Sequence, residues 1–235
     1  SGQMERLLAR RPWLKAADMA EMQPVQFKSR DGLRLSGYLM MPKDRGEADL
    51  PLVVMVNRNL FTRQTWAFDS TAQFLANRGY AVLFVNTRGV TGYGQGFFER
   101  GLRKLGDEIP FDLADGARWA IGKGIADPKR IAILGIGDLS GAVALTSLGV
   151  EPDLYRCGVA VTPITDWIKV IDQRDLEPDA YEFLVDWVGD PATEGARLRA
   201  SSPLNQAPGI KAAVLLMHDK RDHDWYYNQT RAMHA

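Results

Sequence analysis

A chain of 235 residues, 46% hydrophobic and 25% charged, can bury a substantial core and does not belong to the disordered or fibrous classes. Its 29 basic and 29 acidic residues cancel, and the basic ones are scattered, which excludes a cationic face for nucleic acid. The longest apolar runs, Leu52 to Val56 and Ala212 to Met217, have strand length, so no membrane span is expected. The lone Cys157 can form neither an internal disulfide nor a thiolate metal cluster. These features predict a cytoplasmic α/β protein without metal or cofactor, one domain over 1–235. Ser1-Gly2-Gln3-Met4 precedes a basic stretch lacking an apolar h-region and reads as a vector-derived scar rather than a signal peptide, and 1–23 as a linker.

Pro24 to Met41 alternates apolar and polar residues around Asp31-Gly32, which predicts an N-terminal β-hairpin. Pro51 to Val56 is continuously apolar, as for a parallel strand covered on both faces. A helix follows from Asp69, a capping residue, to Asn77 before Gly79. Next come a strand at Tyr80 to Asn86, the glycine-rich loop Arg88 to Gly94, and a helix from about Asp112 to Gly122. Further strands are predicted at Arg130 to Leu134, Cys157 to Thr162 and Ala212 to Met217, with a helix near Ala142 to Leu148. Strands alternating with helices imply a mostly parallel sheet with helices on both faces, and ligands bind such sheets beyond the carboxyl ends of the strands. The loops after Val56, Asn86, Leu134, Thr162 and Met217 are therefore the ones to inspect. Residues 163–197 read as a helical flap, whose Trp167, Tyr181, Phe183 and Trp187 could line a peptide-binding surface but by their spacing read more simply as helical core packing.

The stretches RDGLRLSGYLMMP, PLVV, FLANRGYAVLFVNTRGVTGYG, FDLADGARWAIGKGIADPKRIAI, PDLYRCGVAV and SSPLNQ, in that order, resemble the catalytic domain of the prolyl oligopeptidase family, which includes acylaminoacyl peptidases and dipeptidyl peptidases. The likeness runs from about Leu14 to Ala235. It implies an α/β-hydrolase fold, without its last strand and helix in this chain, a serine at a strand-to-helix elbow, an aspartate after the penultimate strand and a histidine after the last. It also implies an N-terminal β-propeller, for which 235 residues leave no room.

Position by position, the family's chemistry is incomplete. Where the family carries Gly-Gly-Ser-Tyr-Gly-Gly, this chain reads Gly135-Ile136-Gly137-Asp138-Leu139-Ser140. Counting from Arg130 puts Gly137 at the apex, and counting back from Pro152 puts Asp138 there. Ser140 is the nearest hydroxyl, more simply read as a loop or cap hydroxyl. Asn57-Arg58-Asn59 stands in place of His-Gly-Gly-Pro, so an oxyanion would rely on the backbone N–H groups of Arg58 and Asn59, the Asn57 amide or the Arg58 guanidinium, and the segment is more simply read as a polar strand-end loop. Asp222, in His218-Asp219-Lys220-Arg221-Asp222, matches the triad aspartate. None of His218, His223 and His234 matches the triad histidine, without which a hydroxyl is a poor nucleophile.

The expected reading is a prolyl-oligopeptidase-like domain, inactive or truncated. One alternative is a working hydrolase of peptides or small esters using Ser140 and Asp222. Another has Asp138 as covalent nucleophile, in the manner of haloalkane dehalogenases and epoxide hydrolases. A third is an interaction module, a homo-oligomer formed through an open sheet edge at Ala212 to Met217. Asp222, His223, Asp224 and His218 read as a solvated acidic loop rather than a metal site, and Arg88 to Gly94, lacking the P-loop lysine, as a scaffold loop.

Overall fold

The computed structural model describes residues 13–43, 45–173 and 177–234. The expected scar at Ser1 to Met4 and the first twelve residues of the expected linker over 1–23 lie outside the described residues. After a short 3-10 helix, Ala16–Asp18, come β1 (Met22–Lys28) and β2 (Arg34–Met40), paired antiparallel with Lys28 opposite Arg34. Gly32 turns the hairpin with φ of 85°. The chain continues through β3 (Leu50–Met55), α1 (Ser70–Asn77), β4 (Ala81–Asn86), α2 (Gln95–Glu99), α3 (Glu108–Gly122), β5 (Ala126–Ile136) and α4 (Asp138–Val150). It ends with β6 (Cys157–Val161), α5 (Trp167–Ile171), α6 (Pro178–Trp187), α7 (Pro191–Ser201), α8 (Pro203–Gln206), β7 (Ala213–Met217) and α9 (Asp224–His234). Among the described residues no helix is long and apolar enough to cross a membrane.

The strands form one sheet of seven in the order β1-β2-β4-β3-β5-β6-β7, antiparallel around β2 and parallel from β4 to β7. Alternate residues supply two cores. Leu52, Val54, Leu83, Val85, Ile131 and Ile133 pack with α3 and α4, whereas Val53, Met55, Val82 and Phe84 pack with Ala72 and Ala76 of α1. Burial on both faces is why β3 and β4 are continuous apolar runs, each large side chain contributing about 1.5–3 kcal/mol. Asp69 caps α1 as expected, its carboxylate accepting from the Ala72 N–H at 2.8 Å.

Several boundaries differ from the sequence expectation. α3 begins at Glu108 rather than near Asp112, because Asp107 accepts from the Glu108 N–H and opens the helix before its apolar stripe starts. α4 begins at Asp138 rather than Ala142, since the turn before it is a single residue. The flap is helical, but α7 runs past Arg197 to Ser201. Trp167 and Trp187 are buried as expected, whereas Tyr181 and Phe183 are exposed at 43% and 38%. Phe183 instead meets Phe61 edge-on, 4.9 Å between centroids, and so ties the flap to the loop after β3.

Arg88 makes its loop part of the scaffold. Its buried guanidinium pairs with Asp112 at 2.7 Å and Asp31 at 2.9 Å, joining hairpin, loop and α3. Burial pushes the Asp112 carboxyl up, against the pull of Arg88. A second network, Arg30 with Asp115 and Glu151, and Arg118 with Glu151, fastens the hairpin to α3 and the end of α4.

Candidate active site

β5 passes into α4 through Gly137 alone, which has φ of 109° and ψ of 166°. That region is accessible essentially to glycine only. Gly137 N–H donates to Val161 O at 3.0 Å, fixing the turn against β6. Gly135 is required two residues earlier, since a Cβ there would overlap the Ser140 carbonyl. At Gly137 a Cβ would meet only Arg58 O, at 3.8 Å. Of the two possible counts, then, Gly137 is the apex, and Asp138 is the first residue of α4.

Ser140 lies one turn into α4, 1% exposed. Its hydroxyl donates to Asn57 O at 2.5 Å and approaches Arg58 O at 3.3 Å. It therefore pins the loop after β3 to α4. Asp138 is exposed at the elbow, and its Oδ2 accepts from the Tyr226 hydroxyl of α9 at 2.9 Å. Burial, together with the Asp138 charge, pushes the Tyr226 phenol up, so it stays protonated as that donor. Among the described residues neither Ser140 nor Asp138 has an imidazole as hydrogen-bond partner.

In the loop at the oxyanion position the side chains of Asn57, Arg58 and Asn59 each have a partner. Asn57 Nδ2 faces Asn86 Oδ1 at 3.4 Å, while its own Oδ1 is buried without a partner among the described residues. Asn86 is in turn fixed by the Gln64 backbone at 2.7 Å and the Tyr93 hydroxyl at 3.0 Å. The exposed Arg58 donates to Thr71 Oγ1 at 2.9 Å, and Asn59 Oδ1 accepts from the Phe61 N–H at 3.2 Å. Arranged this way, Asn57 presents an acceptor rather than the donor the sequence suggested.

Asp222 lies in the loop after β7, its Oδ1 accepting from the His223 N–H at 2.8 Å and its Oδ2 3.0 Å from His218 Nε2. His218 Nδ1 lies 2.7 Å from Thr230 Oγ1 of α9. Asp222 and His218 are thus joined, and Ser140 is not part of their network. His223 is exposed. Among the described residues no three His, Cys, Asp or Glu side chains are placed to hold a metal ion. The sequence reading did not pick out Tyr226 or Thr230 as site residues. Their signal was a four-residue spacing on one helix, which places both on one face.

A family model described as the prolyl oligopeptidase family matches residues 66–235. Dipeptidyl aminopeptidase BIII of Pseudoxanthomonas mexicana is 32% identical over 232 residues, spanning 94% of this chain and 34% of that protein. The acylaminoacyl peptidase of Pyrococcus horikoshii superposes with a TM-score of 0.82 at 28% identity, over 94% of this chain and 35% of that one. A puromycin-hydrolyzing peptidase of Mycobacterium tuberculosis has a TM-score of 0.86 at 24% identity, over 97% of this chain and 34% of that one, a likeness of fold. The chain spans about a third of the length of these relatives. Its fold is that of the α/β-hydrolases, and by its sequence the chain belongs to the prolyl oligopeptidase family.

Proposed function

We propose that this chain is a prolyl oligopeptidase-family domain whose elbow does not perform serine-peptidase chemistry. The observation that carries the reading is Gly137 at the apex, with the nearest hydroxyl, Ser140, buried and donating to Asn57 O. Acyl transfer needs a nucleophile whose proton can leave to a base, and loss of either partner removes most of the rate enhancement. For Ser140 to act with Asp222 on a peptide or small ester, the first turn of α4 would have to open. For Asp138 to act as covalent nucleophile, an imidazole would have to reach it to hydrolyse the ester formed. The lone Cys157 suits a cytoplasmic setting. The test is release of p-nitroaniline from acyl-amino-acid and dipeptide anilides. The expected rate equals that of buffer, whereas turnover that disappears in Ser140→Ala overturns the reading.

A second reading, an interaction module forming homo-oligomers, is favoured by β7. It lies at the sheet edge with Val214, Leu215 and Met217 exposed at 38%, 55% and 49%, and apolar edges tend to pair with other chains. Light scattering that shows a monomer at micromolar concentration counts against it.

A further inference from the structure

The groups able to pass a proton meet away from the elbow. An ionised Asp222 only accepts hydrogen bonds, so the ring nitrogen facing it, His218 Nε2 at 3.0 Å, carries the imidazole proton. Nδ1 is left as an acceptor, and the Thr230 hydroxyl 2.7 Å from it is the donor. Hydroxyl, imidazole and carboxylate therefore stand in the order and tautomeric state that abstraction of the hydroxyl proton by a general base requires. The second Asp222 oxygen is held by the His223 N–H, and the imidazole is 1% exposed, so the relay is fixed in place.

The relay borders a cavity of about 450 Å³ lined by Leu216, His218, Tyr227, Thr230, Arg231 and His234. Leu216 and Tyr227 give it apolar wall. Arg231 has no ion-pair partner among the described residues and brings a cation to the same cavity. A buried histidine that merely satisfied its neighbours would need neither an accessible space beside the hydroxyl nor a cation next to it.

We propose that Thr230 is a nucleophile for acyl transfer from small esters of short carboxylic acids, with His218 as its base and Asp222 orienting the imidazole. Thr230 Oγ1 bonds to the ester carbonyl carbon as its proton passes to His218 Nδ1, and the charge developing on the carbonyl oxygen is stabilised by Arg231. The bond from that carbon to the alkoxy oxygen then breaks, and the proton on Nδ1 leaves with the alcohol. Water adds to the acyl-threonine, gives its proton to Nδ1 and releases the carboxylic acid, and Thr230 recovers its hydroxyl proton from His218. The site lies on α9 and the end of β7, so it stands whether or not the elbow is inert.

The test uses the full chain with p-nitrophenyl acetate, following p-nitrophenol release, the intact mass and the acetylated peptide. The expected result is one acetyl group on Thr230. Acylation should fall by about 10²-fold or more in Thr230→Val and His218→Gln, and should be unchanged in Cys157→Ser. If the valine variant does not fold, Thr230→Ser, which keeps the hydroxyl, should still be acetylated at the substituted position. Acetyl found only on lysines, Cys157 or the terminal amine, or a valine variant acetylated at the parent rate, overturns the proposal. Acetyl on Ser140 in place of Thr230 would overturn both this proposal and the inert elbow, and acetyl on both would overturn only the latter.

Discussion

Replacing Gly137 with alanine tests whether the elbow is built around a residue that has no side chain. The backbone at φ 109° and ψ 166° lies where residues with a Cβ are strained, a cost of about 1–3 kcal/mol. No steric penalty adds to this, because the new Cβ meets only Arg58 O at 3.8 Å. Alanine restricts the unfolded chain and returns about 0.4–1 kcal/mol, so the middle of the two ranges leaves a net destabilisation of about 1–2 kcal/mol. For a domain of this size that corresponds to a melting-temperature decrease of about 2–8 °C. Gly122→Ala is the control, at the end of α3 with ordinary φ and no atom within 4 Å of the new Cβ, and it should be neutral or stabilising by up to about 1 kcal/mol. Thermal and urea denaturation of both variants measure the difference. A Gly137→Ala protein at least as stable as its parent would refute the assignment of this residue to the strained apex.

Ser140→Ala removes the hydroxyl that satisfies the buried Asn57 carbonyl and should cost about 1–3 kcal/mol in urea denaturation; an unchanged midpoint would mean the bond contributes nothing. Arg88→Met leaves Asp112 buried without its partner and should cost about 3–5 kcal/mol, so a loss below about 1 kcal/mol would contradict the scaffold role of that loop. Burial pulls the Glu151 carboxyl up, but hydrogen bonds from Arg118 and Arg30 outweigh it and hold the group below its ordinary range. A carboxyl depressed on folding adds stability above its unfolded-state value, and that stability is lost as pH falls through the depressed one. Glu151→Gln should therefore cost about 1–2 kcal/mol near neutrality, discounted for the half-exposed arginines, and flatten the acid limb of the stability profile; an unaltered acid limb would contradict the assignment. Leu215→Lys on the exposed β7 edge should weaken any self-association seen by light scattering, and association unaffected by it would place the interface elsewhere.

The parts of the fold that read well from sequence are those where burial dictates residue type. β3 and β4 are covered on both faces, and their unbroken apolar runs located them to within a residue. Asp69 did the same for α1 through cap chemistry, and Asp31-Gly32 marked the hairpin turn, although β1 starts at Met22, two residues before the expected Pro24. α2 went unpredicted because five residues are too few to show a helical period. The elbow was legible as a place but not to the residue. Counts from its two sides disagreed by one, and only the backbone conformation of Gly137 decides between them. The commitments of Asn57 to Asn86 and of His218 to Thr230 were out of reach, because each joins residues on different elements whose approach depends on packing.

An inert elbow, as proposed, has no group that accepts an acyl or phosphonyl group. Incubation of the full chain with a fluorophosphonate, followed by peptide mapping, tests it most directly. The peptide carrying Gly137 to Ser140 should stay unmodified at every probe concentration at which the protein remains folded. Stoichiometric adduct on Ser140 or Asp138, retained on dilution and lost on prior denaturation, would contradict it.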